Sequence, residues 1–125
     1  MQALVVDDSR ALRRLLSSML QQLGFQVREA GNGSEGLAEL ARGPRPDVVL
    51  VDWNMPVMNG LEFIQQVRGQ TQFRDLPLMM VTTETETERV EAALAAGANE
   101  YVMKPFDKSV IADKLQLLGL LESPA

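Results

Sequence analysis

The stretch Pro46-Asp47-Val48-Val49-Leu50-Val51-Asp52-Trp53-Asn54-Met55-Pro56 decides the fold. Val48 to Val51 are four successive apolar β-formers that do not alternate with polar residues, so a strand here is buried on both faces. That is the pattern of a central strand in a parallel sheet. The run stops at the carboxylate of Asp52, and Pro56 followed by Asn59-Gly60 turns the chain. Asp52 therefore falls at the carboxyl edge of a central strand, where ligands bind in open α/β sheets. A lone strand-end aspartate usually does no more than cap a loop; the remainder of the chain shifts that balance.

Before the central strand, Ala3–Val6 is a short apolar run ending at Asp7-Asp8. Ser9 is a helix N-cap, and Leu12, Leu15, Leu16, Met19, Leu20 and Leu23 form one apolar helical stripe, closed by Gly24. Phe25–Glu29 predicts a second strand. Gly31-Asn32-Gly33 turns the chain, Ser34 is the expected cap of a short helix carrying Leu37, Leu40 and Ala41, and Gly43-Pro44-Arg45-Pro46 ends it. After the central strand, Leu61, Phe63, Ile64 and Val67 mark a third helix. Leu78–Val81 is a fourth strand ending at Thr82-Thr83, and Val90, Ala93 and Leu94 lie on a fourth helix closed by Gly97. Tyr101-Val102-Met103 is a fifth strand stopped by Lys104-Pro105, and Asp107 or Ser109 caps a last helix with Val110, Ile111, Leu115 and Leu118. Strand and helix alternate five times, which implies right-handed crossovers and a parallel sheet between two helix layers. No linker, repeat or low-complexity segment interrupts the pattern. The reading is one domain over 1–125, with a natural single-domain chain favoured and a receiver domain cut from a larger regulator kept as the alternative.

Composition narrows the chemistry. The net charge is −5, which argues against nucleic acid as a direct partner. There is no cysteine, hence no disulfide and no thiolate metal site, and no histidine, hence no Ser-His or Cys-His pair. No apolar run reaches membrane-spanning length and no signal-peptide core is visible, so a cytoplasmic protein is expected.

The residues that follow the apolar runs are Asp7 and Asp8, then Asp52 with Asn54 two positions on, then Thr82 and Thr83, then Lys104. In a parallel sheet of order 2-1-3-4-5 these ends share one edge and converge. Three carboxylates brought together repel one another unless a cation is present. They are hard oxygen ligands, and without histidine or cysteine the expected ion is Mg²⁺. A lysine for an anionic oxygen and a threonine hydroxyl complete a phosphoryl site in which an aspartate can be the nucleophile. Each signal alone has a bland explanation: capping for Asp7-Asp8, a turn for Thr82, a solvated loop for Lys104. Their coincidence at four strand ends favours the phospho-accepting site.

With these residues in view, the sequence resembles the receiver domain of two-component response regulators, most of all the single-domain CheY-like chemotaxis type. The resemblance runs through Val5-Val6-Asp7-Asp8-Ser9, Val51–Gly60, Val81-Thr82-Thr83-Glu84, Ala96-Gly97-Ala98 and Tyr101–Phe106. It implies the (βα)5 doubly wound, flavodoxin-like receiver fold with a five-stranded parallel sheet. It implies Asp52 as phospho-acceptor, and Mg²⁺ held by Asp8 directly, Asp7 largely through water, Asp52, and the Asn54 carbonyl. It further implies Lys104 on a phosphoryl oxygen, after a cis bond to Pro105, and a switch made of Thr82 and Tyr101. The chain departs from the chemotaxis type at Thr83, which is larger than usual and narrows access to the phosphate. It also lacks lysines in the acidic approach to the fourth helix, Thr83–Glu88, which bears on whether a flagellar motor protein is its target.

The reading is thus a phosphorelay signalling receiver, a monomer that takes its phosphoryl group from a histidine kinase or phosphotransfer domain. Its downstream protein would bind the face of helix 4, strand 5 and helix 5. It would not be an enzyme beyond its own phosphorylation and autodephosphorylation, the latter tuned by Asn54, Glu84 and Thr83. Arg10, Arg13 and Arg14 are either a solvated face or a kinase-docking surface. Three rival readings fit less well. An FMN carrier would need a hydroxyl- and glycine-rich loop where Asp7-Asp8 stands. A phosphatase with an aspartate nucleophile commonly has a second acid where Asn54 stands. A phosphorylation-independent adaptor would have no use for the complete acidic site.

Overall fold

In the computed structural model, residues 1–82, 87–104 and 106–121 are described, with only the helical backbone given for Thr87 and Glu88. Five parallel strands, β1 (Gln2–Val6), β2 (Gln26–Ala30), β3 (Val48–Asp52), β4 (Leu78–Thr82) and β5 (Glu100–Met103), are ordered β2-β1-β3-β4-β5. The helices are α1 (Arg10–Gln22), α2 (Gly33–Arg42), α3 (Gly60–Arg68), α4 (Thr87–Ala96) and α5 (Lys108–Leu117). The doubly wound parallel architecture read from the sequence is the observed one. A short 3₁₀ turn, Thr71–Phe73, which the sequence did not signal, seats the buried Phe73 under α3.

β3 and β4 are buried at every position, because helices cover both faces of the sheet. Alternate side chains divide between two cores. Leu4, Val6, Val49, Val51, Leu78 and Met80 pack with Leu40 of α2, Phe63, Ile64 and Val67 of α3, and Ala93 of α4. Ala3, Val5, Val48, Leu50, Met79 and Val81 pack with Leu16 and Leu20 of α1 and Ile111 and Leu115 of α5.

Local signals hold in most places. Ser9 and Asp107 cap α1 and α5 by accepting the Leu12 and Val110 N–H groups, and Gly24 and Gly97 take positive φ after α1 and α4. Others are corrected. The cap of α2 is Asn32, two residues before Ser34, and it accepts the Glu35 N–H. Leu15 is 47% exposed; it lies at the margin of the α1 stripe, and the other leucines already fill the contact with the sheet. After β3, the left-handed residue is Val57 (φ 70°), inside a tight turn closed by Met58 N–H to the Pro56 carbonyl. Asn59 and Gly60 instead begin α3, where Asn59 and Glu62 form a reciprocal capping box.

Candidate functional site

Four strand ends, those of β1, β3, β4 and β5, and the loops that follow them build the site. β1 ends beneath Asp7-Asp8, β3 ends in Asp52, and β5 leads into Lys104. The register that sets Val6 beside Val51 also sets the β1 and β3 ends level. One carboxylate oxygen from each of Asp7, Asp8 and Asp52 falls within 4.8 Å of the others. Asp7 and Asp52 are buried and Asp8 is exposed, so the cluster opens to solvent on the Asp8 side.

Lys104 reaches in from the far end of the sheet. Its Nζ lies 3.3 Å from Asp52 Oδ1 and 4.0 Å from Asp7 Oδ2. The Lys104 backbone N–H donates to the Thr82 carbonyl at 2.8 Å, tying the lysine to the end of β4. Thr82 is 2% exposed and ends the strand next to β3. Asn54 is exposed two residues beyond Asp52, and its backbone N–H bonds the Asp52 carboxylate. Tyr101 stands apart from the acids. It pairs in register with Met80, is half-buried against the core under α4, and has the Lys114 ammonium 5.1 Å from its ring centre. Of the residues read from the sequence, the fold thus gathers Asp7, Asp8, Asp52, Asn54, Thr82 and Lys104 on one edge. Thr83, Glu84 and the Pro105 side of the Lys104–Pro105 bond lie outside the described residues.

Asp7 is fixed on several sides. Its N–H donates to the Ala30 carbonyl, its Oδ1 accepts the Ser9 N–H at 2.8 Å, and its carbonyl accepts from Arg13 Nη1 at 2.7 Å. Its Oδ2 is buried and, among the described residues, has no hydrogen-bond partner. A buried acceptor left without a partner is costly, and here it faces the other carboxylates and Lys104. The donor set is all hard oxygen, half open to water, and short of positive charge: it fits a hard divalent cation.

Burial pushes both the Asp7 and Asp52 carboxyls above the ordinary range; the Ser9 N–H and then the Lys104 charge only partly offset it at Asp7, and the Lys104 charge and hydrogen bond only partly offset it at Asp52. A folded-state pKa raised above the unfolded value, about 3.9, stabilises the fold when the group is protonated. That contribution is complete below the unfolded pKa and is lost as pH rises through the folded one. In metal-free protein, Asp7→Asn should therefore melt close to wild type below about pH 4 and progressively above it as pH rises. Melting curves across that range, with a chelator present, check this; a gap that closes with rising pH would refute it.

Several contributors were not visible in the sequence. The Gly60 N–H donates to the Trp53 carbonyl at 2.9 Å, and a Cβ at Gly60 would overlap the Asp52 carbonyl oxygen. The Arg89 guanidinium lies 5.4 Å from the Trp53 ring centre. A basic residue in the first turn of a helix opposes the helix dipole, the one signal that could have singled Arg89 out.

The model of the response regulator receiver domain matches residues 3–116. The chain belongs to that family. It is 41% identical over 119 residues to chemotaxis protein CheY1 of Helicobacter pylori, covering 94% of this chain and 96% of the relative. It is 44% identical over 117 residues to the chemotaxis protein CheY homolog of Campylobacter jejuni, covering 93% and 90%. The structure of chemotaxis response regulator CheY4 of Vibrio cholerae superposes with a TM-score of 0.86 at 41% identity, covering 94% and 97%. The chain is a receiver of two-component phosphorelay signalling, and these relatives are chemotaxis proteins. Receivers of this type are signalling proteins rather than classical enzymes, and they work between histidine kinases and downstream targets. Among the described residues no helix is long and apolar enough to cross a membrane.

Proposed function

We propose that this receiver accepts its phosphoryl group on Asp52, with Mg²⁺ held by Asp7, Asp8, Asp52 and the Asn54 carbonyl. The observation that carries this reading is the buried Asp52 carboxylate, level with two other aspartates and 3.3 Å from the Lys104 ammonium. A carboxylate oxygen of Asp52 attacks the phosphorus of a phosphohistidine on a histidine kinase or phosphotransfer domain. The P–N bond breaks as the P–O bond forms, and the imidazole leaves with the electron pair and takes up a proton. Lys104 passes from Asp52 to a phosphoryl oxygen, supplying positive charge where negative charge builds. The metal, when bound, neutralises the crowded carboxylates and the entering phosphoryl oxygens. Autodephosphorylation follows when a water attacks the phosphorus in line and inorganic phosphate leaves the Asp52 carboxylate, a step read from the sequence as tuned by Asn54, Glu84 and Thr83. The chain's own turnover is the only reaction it catalyses in this reading.

The test is intact mass after incubation with acetyl phosphate. One phosphoryl group is expected with Mg²⁺ present, mapping to Asp52 and lost by hydrolysis after donor removal. Incorporation that is absent, or independent of Mg²⁺, would overturn the reading.

The signal leaves through Thr82 and Tyr101. Strand alternation turns Thr82 toward the same layer as Leu78 and Met80, the layer that also holds Tyr101. A hydroxyl drawn to the phosphoryl group would open room there for the ring. Leu94, Met103 and Val110 are exposed on α4, β5 and α5, which supports that face as the downstream docking surface. Arg10 and Arg14, exposed at the start of α1, are the basic residues suited to kinase docking. The protein acts as a cytoplasmic monomer, one domain over 1–125, with no direct nucleic-acid partner. Thr82→Ala should still take phosphate on Asp52 but lose most of the beryllofluoride-induced amide shifts in α4, β5 and α5. Equal shifts in variant and wild type would remove Thr82 from the switch.

A further inference from the structure

Arg13 belongs by sequence to a basic run with Arg10 and Arg14, but the fold separates it from them. Arg10 and Arg14 are exposed, whereas the Arg13 side chain retains 19% of its exposure. Its guanidinium has two partners. Nη1 donates to the Asp7 carbonyl at 2.7 Å, and Nε donates to Glu29 Oε1 on β2 at 3.0 Å. The carbonyl it holds belongs to the peptide that joins Asp7 to Asp8. Arg13 thus grips the backbone between two of the three clustered acids from a helix one turn further on, and is itself oriented by a carboxylate on the neighbouring strand.

We infer that Arg13 is a positioning residue for the cation site: through the Asp7 carbonyl it fixes the peptide from which Asp7 and Asp8 project, and Glu29 orients it for that task. The inference rests on the reading that Asp7, Asp8 and Asp52 bind Mg²⁺. Electrostatics alone predicts the opposite of positioning. A cation beside three carboxylates weakens the binding of another cation, so removing it should tighten Mg²⁺. A second partner that orients a ligand-bearing group instead strengthens binding, and losing it typically costs about tenfold or more in metal affinity. The guanidinium is suited to this because its planar fork serves two acceptors at fixed angles; a lysine keeps the charge but not the fork.

The experiment measures Mg²⁺ affinity by calorimetry, and by Trp53 emission, for wild type, Arg13→Lys and Arg13→Met. Amide exchange of Asp8 and Ser9 is followed in the metal-free protein. Positioning predicts that both variants bind Mg²⁺ about tenfold more weakly and exchange those amides faster. Unchanged affinity in Arg13→Lys together with tighter binding in Arg13→Met would overturn it, since charge alone would then account for the residue. Unchanged amide exchange in both variants would overturn it as well. Should Arg13→Met fail to fold, as judged by circular dichroism, Arg13→Lys decides alone: about tenfold weaker binding with faster exchange supports the inference, and wild-type values overturn it. Wild-type protein that binds no Mg²⁺ would instead defeat the underlying reading of the acidic cluster, a result separable from any difference among the variants.

Discussion

Replacing Asp52 by asparagine is expected to abolish phosphoryl acceptance while making the metal-free protein more stable. The two effects have one cause. Asp52 ends a strand buried at every position, and removal from water disfavours its charge more than the single Lys104 contact at 3.3 Å repays. At neutral pH and without a cation, the folded state therefore carries an uncomfortable carboxylate beside two others. Asparagine keeps the shape and the oxygen that can accept from Lys104 and from the Asn54 N–H, and drops the charge. Relief at functional sites of this kind commonly amounts to ~1–2 kcal/mol, which for a chain of this size raises the melting temperature by roughly 4–8 °C. The same change removes the nucleophile, because a neutral amide oxygen does not form a stable acyl phosphate under these conditions. With acetyl phosphate and Mg²⁺, the variant should show only its unmodified mass. Mg²⁺ should also narrow the stability gap, since binding stabilises wild type by mass action. A lower melting temperature for metal-free Asp52→Asn would mean that the carboxylate is a structural ligand.

The second large effect is expected at Gly60. Substitution with alanine would place a Cβ against the Asp52 carbonyl oxygen and 2.9 Å from the Trp53 Cα, both main-chain atoms that cannot swing aside. Overpacking against backbone falls at the upper end of the usual 1–3 kcal/mol range, about 3 kcal/mol. Reduced freedom of the unfolded chain returns about 0.5 kcal/mol of this. The melting temperature should fall by roughly 10 °C, and Mg²⁺ affinity should fall too, because relief of the overlap moves the acceptor's own backbone. Gly69, at the other end of α3, is the control. Its Cβ would meet nothing nearer than the Gln65 carbonyl at 3.4 Å, and its φ is −71°, so alanine there should be neutral or slightly stabilising. Thermal melts of the two variants side by side are sufficient. Equal stability would mean that the close approach of α3 to the end of β3 imposes no constraint.

What the sequence by itself determined follows from short-range physics. Four apolar residues from Val48 to Val51 can be satisfied only by burial on both faces, so the central strand and the helices covering it were readable without coordinates. Once five strands run parallel, the residue after each apolar run must lie on one edge. Asp7, Asp8, Asp52, Thr82 and Lys104 were therefore legible as one site from order alone. Tertiary structure decided whatever depends on which atoms meet across distant segments. A helical period tells which way a side chain faces but not what stands opposite, so Leu15 read as core and is exposed, while Arg13 read as surface and holds the Asp7 carbonyl. Asn32 and Ser34 are equally good caps by residue type, and the path of the chain out of β2 chose Asn32. Gly60 read as a turn residue; it is needed because α3 starts against the main chain of Asp52 and Trp53, a closeness no local pattern encodes. The imbalance at the site is likewise a property of the assembled fold: only packing buries Asp7 Oδ2 with no hydrogen-bond partner among the described residues, beside the carboxylates of Asp8 and Asp52 and the Lys104 ammonium, and so turns a row of strand-end residues into a place for a cation.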